Sequence, residues 1–263
     1  MIEQSQQSNT ASPTAGRESS SLTAIAPELR QRLAEVNSKA AGSPKPNDAP
    51  QCVGEILRSL TLPSLIRLPS RSQSPDQRLR AAVRMANVPL RHETRQHVES
   101  AAPEKWRQTR DGLLTGMGTG YLFAMIGPRG TGKTQIAVDA MVSSCGHDRQ
   151  ALYCKAMELF LLLREAKNTE GGSELRVLSG FLSPRLLVID EVGERGETDF
   201  EDRMLVYVID KRYDAMLDTI LIANMTEPAF RETMGPSISD RLREAGGVIV
   251  CDWESFRKQE PAQ

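Results

Sequence analysis

The chain is 263 residues long, 39% hydrophobic and 25% charged, which is ordinary globular usage and enough for one large domain with an extension. A formal net charge of -1 excludes a chain-wide polycation, so nucleic-acid binding would have to come from a local basic patch. Four scattered cysteines (Cys52, Cys145, Cys154, Cys251) and three histidines (His92, His97, His147) give no clustered ligand set for zinc.

Residues 1 to about 22 are rich in Ser, Gln, Thr and Ala; they hold too little apolar surface to offset ordering, and disorder is expected. Leu29 to Val36 has the spacing of a short amphipathic helix, and AAGSPKPNDAP after it reads as a linker. Residues 1–50 are therefore expected to be a disordered tail and linker, and 51–115 a basic helical region. Between 51 and 110 eleven basic residues stand against five acidic ones. That excess marks either a solvated helical face or a surface for nucleic acid or a partner protein. Ser74-Pro75 predicts a helix start running to about Ala86, and Pro103 another through about Leu114.

From Gly120 onward short apolar runs alternate with helical spacing. The runs are YLFAMIG (121–127), ALYC (151–154), RLLVID (185–190), TILIAN (219–224) and GVIVCDW (247–253), with helices expected over 133–146, 156–168 and 199–216. Continuous apolar runs of this length suit parallel strands buried on both faces, and the alternation predicts a doubly wound α/β domain over 116–257, with 258–263 as a tail.

GPRGTGKT follows the first of these strands and opens a helix, which is the context a phosphate-binding loop requires. Gly127, Pro128, Arg129, Gly130, Thr131, Gly132, Lys133, Thr134 and Gln135 form the expected nucleotide cradle. Its glycines free backbone N–H groups for phosphate, Lys133 reaches the β- and γ-phosphates, and Thr134 contributes a hydroxyl to Mg²⁺. RLLVIDE (185–191) ends a buried strand in two carboxylates. Asp190 is expected on the metal, and Glu191 polarises the attacking water. Asn224, closing TILIAN, either orients that water or contacts the γ-phosphate, or is a turn former. Arg241 and Arg243 sit in a short helical stretch, SISDRLREAGG (237–247), before the final strand; they supply either a finger reaching a neighbouring subunit's ATP or a surface salt bridge to Asp240 or Glu244. ATP and Mg²⁺ are thus the expected ligands and ATP hydrolysis the expected chemistry. Phe160, Phe181, Tyr153 and Tyr207 are the aromatic candidates for stacking on single-stranded DNA, set against ordinary packing. MIEQSQQSNT lacks the features of a secretory signal, no run approaches the ~18 apolar residues of a membrane span, and isolated thiols fit a reducing compartment, so a cytoplasmic location is expected.

Taken together, GPRGTGKT, RLLVIDEVG, DKRYDAML, TILIANMTE and MGPSISDRLREAGGVIVCDWESFR, with the upstream RLRAAVRMANVPLRH, resemble the DnaC/IstB group of AAA+ ATPases over about Arg78 to Arg257. That resemblance implies a P-loop NTPase with a parallel central sheet flanked by helices, preceded by a partly disordered, partly helical extension. It implies a sensor role for Asn224, an arginine finger acting in trans for Arg241 in a self-associated form, and a sensor-2-like position for Arg257. It further implies loading of the replicative DNA helicase, held through the N-terminal region, and binding to single-stranded DNA. Two other readings stand beside it. One is the transposition-helper branch, with duplex DNA and a transposase as partners. The other is a nucleotide-dependent adaptor that does not hydrolyse.

Overall fold

The computed structural model describes residues 74–93, 102–147, 149–168, 173–196 and 198–255, all within the unit Lys45–Gln263. The expectations for the tail and linker before residue 51, for Arg257 and for the tail 258–263 lie outside the described residues, as do Cys52 and His97.

Helix α1 (Pro75–Met85) starts where Ser74-Pro75 predicts. The Ser74 hydroxyl accepts the Gln77 N–H at 3.3 Å, and Gln77 Oε1 accepts the Ser74 N–H at 3.1 Å, a reciprocal cap that satisfies two end donors. A one-turn helix α2 (Leu90–Glu93) and helix α3 (Glu104–Gly116) follow. The α/β layer then runs β1 (Leu122–Ile126), α4 (Lys133–Gly146), β2 (Ala151–Lys155), α5 (Ala156–Asn168), α6 (Glu174–Leu182), β3 (Leu186–Asp190), α7 (Asp199–Asp214), β4 (Asp218–Ala223), α8 (Glu227–Ala245) and β5 (Gly246–Val250).

Every strand pair is parallel, in the order β2-β3-β4-β1-β5. Side chains alternate between two cores, as the two-residue period of a strand requires. Leu122, Ala124, Leu187, Ile189 and Leu221 face a layer built by α5 to α8, with Phe160, Phe181 and Phe230 fully or nearly fully buried. Met125, Leu186, Val188, Ile220 and Ile222 face a second layer with Ile136 and Met141 of α4, Val83 of α1, and Trp106 and Leu113 of α3. Packing thus crosses the expected boundary at 115: α1 and α3 seal the same core as the helix that follows the phosphate loop.

Three elements depart from the sequence reading. The stretch 174–182, without an expected element, is a helix capped by Ser173, whose hydroxyl accepts the Arg176 N–H at 3.3 Å. The short helical stretch expected after 237 is the second half of α8, which begins at Glu227 and is interrupted at Gly235, φ 71° and ψ 176°, ahead of Pro236. A residue before proline is steered out of the helical region, and glycine accepts the resulting conformation. Finally, β5 ends at Val250, and residues 251–253 leave the sheet.

Candidate functional site

In a parallel sheet the carboxyl ends of all strands share one edge, and ligands collect there. Along that edge the strand order sets out, in space, Lys155 from β2, Asp190 and Glu191 from β3, Asn224 from β4, Gly127 from β1 and Cys251 beyond β5. Because β4 lies between β1 and β3, Asn224 emerges between the phosphate loop and the acidic pair.

The chain leaves β1 through Gly127, φ 133°, where a Cβ would collide with the Cys251 carbonyl; Cys251 N–H in turn bonds the Ile126 carbonyl at 2.7 Å. No larger residue fits this crossing. The loop closes at Gly132, φ 80°, and α4 begins. Lys133 is buried, and its ammonium donates to the carbonyls of Gly127 at 2.9 Å and Pro128 at 2.7 Å. Thr131 donates to the Pro128 carbonyl at 3.1 Å, while Pro128 and Arg129 are exposed. The Gln135 side chain is engaged elsewhere, donating to Asp139 at 3.0 Å, with His92 Nδ1 3.4 Å from its oxygen.

Asp190 continues the alternation of Leu186 and Val188, so its carboxylate lies on the α4 face. There it accepts the Thr134 hydroxyl at 2.9 Å and the Tyr153 hydroxyl at 2.9 Å on one oxygen, and the Glu191 N–H at 2.7 Å on the other. Burial, with Asp190 alongside, pushes the Tyr153 phenol far above its usual range, which keeps it a neutral donor. Glu191 has φ 58°, a left-handed conformation that costs about 1 kcal/mol or more for a non-glycine residue and is held here where the chain turns out of the sheet. Lys155 pairs with its carboxylate at 2.9 Å. Asn224 donates to Glu194 at 3.3 Å, and Arg129 donates to the same Glu194 oxygen at 2.6 Å. The Arg129 guanidinium holds the Glu194 carboxyl below the usual carboxylate range. Arg129 therefore links the loop to Asn224 through one carboxylate.

Lys133, Thr134, Asp190, Glu191 and Asn224 come together at this edge; Arg241 does not join them. Its partners are Asp210, whose Oδ1 lies 2.8 Å from Nε, the Ser237 carbonyl and hydroxyl at 3.0 and 2.8 Å, and the face of Tyr213. The expected salt bridge to Asp240 is made by Arg243, at 2.7 Å, because one helical turn brings 240 and 243 together, while Arg241 faces α7. Of the stacking candidates, Phe160, Phe181 and Tyr153 are buried, and Tyr207 is exposed beside Lys211.

Sequence reasoning missed the roles of Tyr153, Lys155 and Glu194 in this network. Lys155 carried a usable signal, since it is a polar residue directly after an apolar run, as Asp190 and Asn224 are polar residues closing theirs. Thr134 and Asp190 present a hydroxyl and a carboxylate oxygen, hard donors of the kind Mg²⁺ takes. Among the described residues no group of three or more His, Cys, Asp or Glu gathers to hold a metal, and no helix is long and apolar enough to cross a membrane.

A parallel five-stranded sheet with β4 between the loop strand and the acidic strand, and a glycine loop opening α4, defines a P-loop NTPase of the AAA+ type. Residues 70–263 match the family model described as IstB-like ATP binding protein, and the chain belongs to that family. It is 23% identical over 138 residues to the replicative helicase loader DnaC of Escherichia coli K12, covering 52% of this chain and 56% of DnaC. The chain thus spans little more than half the length of that curated relative. It is 28% identical over 187 residues to the uncharacterized protein YdaV of the same organism, covering 71% of this chain and 72% of YdaV. Among solved structures, the DnaC helicase loader superposes with a TM-score of 0.50 at 18% identity, covering 63% of this chain and 96% of that one. AMPPCP-bound DnaA from Aquifex aeolicus superposes with a TM-score of 0.52 at 16% identity, covering 64% and 52%. These likenesses show the fold.

Proposed function

We propose that this chain is an ATPase that loads the replicative DNA helicase during DNA replication. The observation that carries the chemical half is the convergence of Lys133, Thr134, Asp190 and Glu191 at one sheet edge. The similarity to DnaC supports the biological half. In this reading the N–H groups of Gly127 to Thr134 cradle the phosphates, and Lys133 exchanges its loop carbonyls for phosphate oxygens. Thr134 and Asp190 hold Mg²⁺, which supplies charge neutralisation at the phosphates when bound. Glu191 polarises the attacking water, and Asn224 orients it. Arg241 serves a neighbouring subunit's ATP in a self-associated form. Single-stranded DNA and, through the N-terminal region, the helicase are the proposed partners, in the cytoplasm.

The test joins two variants of the full chain. Lys133→Ala is expected to lose ATP binding by at least about a hundredfold, since a buried charge-assisted phosphate contact disappears; unchanged affinity would overturn the site assignment. Glu191→Gln, mixed with ATP in host extract, is expected to retain a hexameric replicative helicase. Recovery of a transposase instead would favour the transposition-helper branch of the same family. Turnover that neither single-stranded nor duplex DNA stimulates would favour the adaptor.

A further inference from the structure

The chain holds two tryptophans, and each reaches one of two adjacent carbonyls of the phosphate loop. Trp253, three residues past β5, donates its indole N–H to the Thr131 carbonyl at 2.7 Å. Trp106, in the first turn of α3, donates to the Gly132 carbonyl at 3.4 Å. Both rings are buried, at 9% and 2% exposure. The two segments are also joined directly, because the residues just before each tryptophan, Lys105 and Asp252, form an ion pair at 2.5 Å.

A buried indole N–H needs an acceptor. What matters here is which acceptors are used. A trans peptide points its carbonyl and its N–H in opposite directions, and no cis bond occurs among the described residues. A Thr131 carbonyl held toward Trp253 therefore turns the Gly132 N–H to the opposite side. A Gly132 carbonyl held toward Trp106 does the same for the Lys133 N–H. These N–H groups belong to the set that a phosphate loop presents to phosphate oxygens. Glycine-rich backbone has the freedom to rotate away from that arrangement, and the two indoles are restraints against it.

We propose that Trp106 and Trp253 are positioning residues for the nucleotide phosphates, presetting the Thr131–Gly132–Lys133 peptides from α3 on one side and the post-β5 segment on the other. This deepens the reading of the loop as an ATP site and rests on it. It also makes the two tryptophans reporters of that site.

The test uses the full chain labelled with ¹⁵N-tryptophan, and ADP, ATP and adenosine as probes, with affinities measured by calorimetry. In the wild type, ADP and ATP are expected to shift both indole N–H resonances, and adenosine, which lacks phosphates, neither. Trp253→Phe keeps a ring and removes the donor; it is expected to keep a cooperative thermal transition and bind ADP about tenfold more weakly, Trp106→Phe about threefold, as befits one short and one long hydrogen bond. Wild-type affinity in folded Trp253→Phe overturns the proposal. So do indole resonances that stay put at saturating ADP, or that adenosine moves equally, and this arm decides the matter if the variant does not fold. A wild-type chain that binds neither ADP nor ATP overturns the ATP-site reading itself, a distinguishable result.

Discussion

Three donors converge on the Asp190 carboxylate, and one of them, the Tyr153 hydroxyl, comes from the neighbouring strand β2. Fixing a carboxylate by hydrogen bonds sets the direction its free lone pairs face, which matters when the ligand is a small octahedral cation. Tyr153→Phe removes one bond worth about 1 kcal/mol while keeping the ring. It is expected to leave metal-free ATP binding unchanged and to raise the Mg²⁺ needed for half-maximal tightening about fivefold, read by titrating Mg²⁺ against a fluorescent ATP analogue; an unmoved titration would leave Tyr153 a packing residue. The glycine loop and the strand-ending acids were legible because their chemistry demands fixed spacing along the chain. Tyr153 was not legible as more than an aromatic in an apolar run. Its value depends on β2 lying beside β3, which no local pattern records. The same holds for Glu194, whose partners Arg129 and Asn224 are distant in sequence.

At the scale of elements, the strands announced themselves by continuous apolar runs, and each lies within a residue or so of its expected bounds apart from β5, which ends early. The helices were read less evenly. Helix α6 is only nine residues long, and α8 contains a glycine-proline step that locally reads as a stop. What locks α6 and α7 to the sheet is a buried arginine. Arg212, in the last turn of α7, is fully buried and donates to Thr219 at 2.9 Å, to the carbonyls of Phe181 and Pro184 at 2.9 and 3.0 Å, and to the Asp218 carbonyl at 2.7 Å. It thereby ties the ends of α6 and α7 to the start of β4. Burial pushes its pKa down to about 9, so it remains charged at neutral pH. A lysine offers a point charge and cannot fill this planar fork. Arg212→Lys is expected to destabilise the fold by about 2–4 kcal/mol, with orphaned carbonyls as the main term. Urea denaturation followed by circular dichroism measures it, and a midpoint within error of wild type would refute the role.

Across the whole molecule, the parallel α/β architecture was readable from strand–helix alternation, whereas the strand order was not, since alternation is equally compatible with other windings. The order matters because it puts Asn224 between the two halves of the site. A second long-range link runs through Arg195, whose guanidinium bonds the Val192 carbonyl at 2.7 Å, Asp202 at 2.7 Å and the Thr233 carbonyl at 2.9 Å. The loop after the acidic pair is thereby fastened to α7 and to the first half of α8. Arg241, on the second half of α8, is braced against α7 through Asp210. If Arg241 acts on a neighbour's ATP, Arg241→Ala is expected to bind ATP with wild-type affinity and to lose at least about tenfold in turnover at protein concentrations where the wild type associates. Steady-state hydrolysis against protein concentration, with sedimentation in parallel, checks this. Full turnover in the associated variant would remove Arg241 from the site.

The contact between Trp253 and Thr131 spans 122 residues of chain, and it has a bearing on biosynthesis. At about 5–20 residues per second, a ribosome needs roughly 6–24 s to travel that distance. For nearly all of that interval the nascent chain carries every residue of GPRGTGKT, but neither Trp253 nor the Cys251 carbonyl that packs on Gly127 has yet been made. The earliest-made part of the nucleotide site is thus completed by one of the last-made segments of the described chain, which leaves the newly synthesised loop unfinished until the sheet has its final strand.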